Sequence, residues 1–133
     1  MATAKTHPVL VEGSVPAGFP SPSSDYVEKP LDLNAQLITH PSATFVIRAR
    51  GDSMVGAGIG NTDLLIVNRA FKARNGDIVV AYLNGDFTVK RLRITGKAVA
   101  LHAENPNYQP INLTDHTDAE IWGVVTYVIK KTR

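Results

Sequence analysis

After residue 40 the chain runs in short apolar blocks and alternating stretches. ATFVIRAR, DLLIVNRA, DIVVAYLNGDFTVKRLRI, AVALHA and EIWGVVTYVIK are rich in β-branched and aromatic residues. Such side chains suit a pleated, half-buried surface, so each segment predicts a strand. Asn84-Gly85 lies between two of these runs and predicts a tight hairpin turn with φ > 0. Asn75-Gly76 marks another turn just before Asp77. Five or six short strands joined by turns predict an all-β barrel or sandwich.

The first 39 residues follow a different pattern. Pro8, Pro16, Pro20, Pro22 and Pro30 punctuate them. Proline fixes φ and cannot donate to a ladder, so a flexible, extended arm with little structure of its own is expected. Within DLNAQLITHPSA, Leu33, Leu37 and Ile38 share a helical face, which predicts one short helix ended by Pro41. The chain thus divides into an arm, 1–39, and a β-rich domain, 40–133. No internal repeat or low-complexity segment interrupts either part.

Composition narrows the class. With 133 residues, 44% apolar and 20% charged, the chain suits one folded domain with a sizeable core. The net charge of +2 sets 14 basic against 12 acidic residues. That balance, with its basic residues scattered, does not suit a dedicated nucleic-acid binder. Cysteine is absent, which excludes disulfides, thiolate zinc sites and cysteine nucleophiles. The N-terminus lacks the apolar run of a signal peptide, and no segment approaches membrane-spanning length. A cytoplasmic protein without membrane association is expected.

Several short motifs invite chemistry. Arg50-Gly51-Asp52 matches an adhesion tripeptide, but no export signal accompanies it. GAGIG at 56–60 lacks both GxGxxG spacing and a following GK[ST], so a turn is expected there. His7, His40, His102 and His116 have no paired ligand spacing and predict no metal site. Ser53, in RARGDSMVGAG, is either a turn residue or a nucleophile. The GxSxG elbow fails because residue 55 is valine. A histidine base is formally open, and a lysine is the other option. Strand alternation puts Thr88, Lys90 and Leu92 on one face, opposite Phe87, Val89 and Arg91. Burial there would favour the neutral amine of Lys90, a competent base toward a hydroxyl, whereas an edge strand would leave it snorkelling to water. These residues alone do not choose between a dyad and two structural side chains.

AGFPSPSSDYVEKPLDLN, HPSATFVIRARGDSM, GDIVVAYLNGDFTVKRL and IWGVVTYVIK, taken together and in this order, resemble the UmuD family. These are SOS-mutagenesis proteins related to the LexA repressor and, more distantly, to leader peptidases. The resemblance runs from about Ala17 to the C-terminus. It implies the small, curved β-domain of the LexA and UmuD C-terminal type, preceded by an extended arm. It implies self-cleavage by a serine–lysine dyad, with Ser53 in GDSM as nucleophile and Lys90 in FTVKRL as general base. The scissile bond would be Ala17–Gly18. Backbone N–H groups of Asp52 and Ser53 are the expected oxyanion hole, and Gly51 lets that backbone bend close to substrate. No metal or organic cofactor is needed.

The resemblance further implies a homodimer whose cleavage is stimulated by a RecA filament on single-stranded DNA. The processed dimer would then join a Y-family, UmuC-like polymerase subunit in translesion synthesis. Seventeen residues ahead of the expected cut leave no room for a helix-turn-helix domain, so direct sequence-specific DNA binding is not expected. GNTD at 60–63 departs from the pattern, with Thr62 where a glycine is expected. Two alternatives stay open: a protease acting in trans, and a non-catalytic docking module that keeps Ser53 and Lys90 as structure.

Overall fold

The computed structural model describes residues 7–12, 27–115 and 118–133. The expected Ala17–Gly18 bond and His116 lie outside them. The chain divides into two compact units, Met1–Thr39 and His40–Arg133.

In the first unit, β1 (Val9–Glu12) pairs antiparallel with β2 (Val27–Pro30), Val9 opposite Pro30. The arm therefore carries a short ladder that its prolines gave no reason to expect. Pro30 is tolerated because β2 is an edge strand of a two-stranded ladder, where proline's missing donor need not interrupt the pairing. Helix α1 (Leu33–Leu37) follows, and the Asp32 side chain caps it by accepting the Ala35 N–H at 3.3 Å. The helix stops earlier than Pro41, because Ile38 is already extended at φ −121°. Pro41 instead opens the next element, a 3-10 turn over Pro41–Ala43, at a position that needs no donor.

The second unit is one seven-stranded antiparallel sheet. Its strands are β3 (Thr44–Arg48), β4 (Leu64–Asn68), β5 (Ile78–Leu83), β6 (Asp86–Thr95), β7 (Ala98–His102), β8 (Ile111–Asn112) and β9 (Glu120–Ile129). Their order is β3-β4-β9-β5-β6-β7-β8. The mainly β fold is as expected; the sheet is open, with β3 and β8 as its two edges and no closure into a barrel. Asn84 and Gly85 both take positive φ, 52° and 86°, the backbone that a two-residue hairpin turn requires.

The last strand, β9, lies between β4 and β5 and is kinked at two places. The pairing register shifts opposite Ile66/Val67 and opposite Val80/Ala81, leaving Thr126 and Trp122 as extra residues. Both faces of β5 are buried. Val80 belongs to a cluster with Ala49, Met54, Ile59, Leu65 and Val67. Its neighbours Val79 and Ala81 belong to another, with Leu92, Leu101 and Val124. A strand covered on both faces reads as the continuous apolar run IVVA seen in the sequence.

Candidate active site

The loop between β3 and β4 carries Ser53, and its shape is set by hydrogen bonds beyond the strand ends. Ala49 N–H donates to Asp63 O at 2.7 Å, and Thr62 N–H to Ala49 O at 2.9 Å. The Arg48 guanidinium also reaches Thr62 O, at 3.0 Å. Gly51 takes φ +89°, a conformation that suits glycine, and its N–H donates to Asn61 Oδ1 at 2.9 Å. Met54, the residue after the serine, is buried at 3% exposure among Leu65, Val67 and Val80. The serine loop is thus pinned to the core by its neighbour. Thr62 has φ +75°, so the position where a glycine was expected does demand the left-handed region. Asp63 anchors the same turn. It accepts the Gly60 N–H and the Lys130 ammonium, and the Lys130 bond holds its carboxyl below the usual range.

β6 delivers Lys90, which is 8% exposed and pairs across the sheet with Val79. Lys90 Nζ lies 3.1 Å from Ser53 Oγ. It also contacts Thr88 Oγ1 at 2.8 Å and the Val89 carbonyl oxygen at 3.2 Å. Burial lowers its pKa below the usual lysine value. A neutral amine has two N–H donors and one lone pair. With Val89 O and Thr88 Oγ1 accepting the two donors, the lone pair is left for the Ser53 hydroxyl proton. Thr88 went unremarked in the sequence beyond sharing a face with Lys90. That spacing of two along the strand was the available signal.

Ser53 and Lys90 meet in a cleft of about 330 Å³. Ile47, Ala49, Met54 and Val80 give it an apolar wall, and Phe87 and Tyr108 line it as well. Phe87 is 58% exposed. The Tyr108 ring centroid lies 6.0 Å from Lys90 Nζ, and its hydroxyl donates to Asp52 Oδ1 at 2.6 Å. That bond raises the Tyr108 pKa. Asp52, the acid of the adhesion-like triplet, is therefore part of the loop's bracing. Asn105 Nδ2 donates to Asp52 O at 2.9 Å. Neither Asn105 nor Tyr108 was singled out in the sequence, because a loop 53 to 56 residues beyond Asp52 gives no local sign of where it packs.

The other sequence candidates lie elsewhere. GAGIG forms the expected turn, with a 3-10 segment over Val55–Ala57 and Gly58 at φ +81°. Gly56 donates to Glu104 O at 2.8 Å, and a Cβ there would sit 2.7 Å from the same oxygen. His40 bonds Asn68 through Nδ1 at 2.9 Å and packs edge-on against Phe71. No described histidine lines the cleft. Among the described residues no group of three His, Asp or Glu side chains could hold a metal ion, and no helix is long and apolar enough to cross a membrane.

Comparison with known proteins matches residues 8–126 to the family described as Peptidase S24-like. The chain is 48% identical to protein SamA of Salmonella typhimurium over 128 residues, covering 96% of this chain and 88% of that protein. It is 48% identical to protein ImpA of Escherichia coli over 121 residues, covering 88% of this chain and 79% of that protein. The LexA repressor of Shewanella woodyi is 44% identical over 120 residues, covering 89% of this chain and 58% of the repressor.

Proposed function

The chain belongs to the S24 peptidase family, and from that premise we propose that it cleaves itself once, at Ala17–Gly18, by a serine–lysine dyad. The observation that carries the proposal is the 3.1 Å approach of Ser53 Oγ to the buried, desolvated amine of Lys90. Lys90 takes the hydroxyl proton as Ser53 Oγ attacks the Ala17 carbonyl carbon. The N–H groups of Ser53 and Asp52 receive the developing oxyanion; among the described residues neither has another acceptor. Protonated Lys90 then gives its proton to the Gly18 nitrogen, which departs as a new amino terminus and leaves residues 1–17 attached to Ser53 as an ester. Water, deprotonated by Lys90, hydrolyses that ester and restores the serine. Ala17 and Gly18 are small, so neither side chain would obstruct the approach of the carbonyl to a recessed hydroxyl, and Val15 would suit an apolar subsite. Arm and catalytic unit share one chain, so the effective concentration of substrate is high.

The wider role follows the UmuD-like resemblance and the likeness to SamA, ImpA and LexA. In this reading a RecA filament on single-stranded DNA stimulates the cut. The shortened chain, as a homodimer in the cytoplasm, joins a Y-family polymerase subunit for error-prone synthesis after DNA damage.

The test is intact mass against time for purified protein at neutral and alkaline pH, beside Ser53→Ala and Lys90→Ala. Wild type should lose residues 1–17 faster as pH rises and neutral Lys90 becomes populated, and both variants should stay whole. If wild type also stays whole, even with RecA, single-stranded DNA and nucleotide, the β-domain is a docking module and the proposal fails.

A further inference from the structure

We infer that Asn105 is a positioning residue, which fixes the Asp52–Ser53 peptide by donating from Nδ2 to the Asp52 carbonyl oxygen and so aims the Ser53 N–H. The inference rests on the serine–lysine reading above and adds to it a residue from a distant segment. A trans peptide points its C=O and its N–H in opposite directions. The chain has no cis peptide bond among the described residues. Whatever holds Asp52 O therefore decides where Ser53 N–H points.

Two donors approach Asp52 O. Val55 N–H is 3.4 Å away, beyond good hydrogen-bond range, and Asn105 Nδ2 is at 2.9 Å. The Asn105 amide cannot turn round without loss, because its Oδ1 already accepts the Asn107 N–H at 2.9 Å. Its own carbonyl accepts the Tyr108 N–H at 3.1 Å, closing the turn. The preceding residue fastens this turn to the serine loop, since Glu104 O accepts the Gly56 N–H at 2.8 Å. Glu104 is itself paired with Arg91 of β6, the residue after Lys90, at 2.8 Å. One short segment after β7 thus braces both the loop that carries the nucleophile and the strand that carries the base.

Asn105→Asp separates the two jobs of the amide. It keeps an acceptor for Asn107 but sets a carboxylate oxygen against Asp52 O. Asn105→Ala removes both. Self-cleavage of each is followed by intact mass across pH, and the rates are compared at the alkaline plateau, where Lys90 is neutral. A shift of midpoint caused by the added charge then drops out. We expect both variants to lose on the order of 10- to 100-fold at the plateau, less than outright loss of an oxyanion donor. Asn105→Ala, which adds no charge, should keep the wild-type midpoint. If Asn105→Asp melts too low to assay, Asn105→Ser replaces it, its hydroxyl capping the turn while too short to reach Asp52. A wild-type plateau in Asn105→Asp, or in Asn105→Ser where that is used, overturns the inference alone. No cleavage by wild type itself overturns the reading on which it stands.

Discussion

At the scale of single residues, Lys90 sets a pH dependence in stability, apart from the one proposed for cleavage. Its folded pKa lies below the usual 10.5, because burial disfavours the ammonium. Between the two values the unfolded chain binds the extra proton, so stability rises with pH across that window and is lost as pH falls through it. In a Ser53→Ala background, Lys90→Met should remove this rise; urea titrations at several alkaline pH values measure it. Thr62 offers a second case. A β-branched side chain at φ +75° is strained. Thr62→Gly should gain about 0.5–1 kcal/mol after the added chain entropy is subtracted, seen as a higher urea midpoint at unchanged slope. Ser53, Lys90 and the odd threonine were all singled out in the sequence, though motif and strand alternation left the roles of the first two open and only the family resemblance assigned them. Thr88, Asn105 and Tyr108 were not, because their roles come from what they face in space.

At the scale of elements, the five long strand segments and the Asn84-Gly85 hairpin were legible from β-branched density and turn chemistry. The pair β1–β2 was hidden by the prolines around it, and β8, two residues long, has no pattern to read. The kinks of β9 were equally invisible, since a bulge is a property of two strands. Gly123 shows what such packing decides. By strand propensity alone, alanine there should help. In the structure its Cβ would lie 2.6 Å from Val67 Cγ1, on a neighbouring strand whose residue is fully buried. Gly123→Ala should therefore destabilise by about 2 kcal/mol, read from thermal and urea unfolding.

At the scale of the whole molecule, both members of the proposed dyad come from the one unit, His40–Arg133. Neither Ser53→Ala nor Lys90→Ala can then supply what the other lacks. An equimolar mixture of the two should remain uncut under alkaline conditions that process wild type completely, as judged by intact mass. Cut product in the mixture would mean that strands exchange between copies. The division near residue 40 is visible in the sequence as a change from proline punctuation to strand density. Which partners a shortened chain would meet has no such signature, because neither charge nor spacing encodes them.

Met54 gives the serine loop one more property. Its thioether sits in the core next to Ser53 in sequence, and the only other methionine is Met1. A sulfoxide is polar and does not fit that apolar site. Peroxide should thus oxidise Met54 only in molecules whose loop has lifted, and each such event should keep the loop from reseating. An oxidant dose would convert rare openings into a permanent record, with one added oxygen on the peptide spanning residue 54 and a matching loss of self-cleavage.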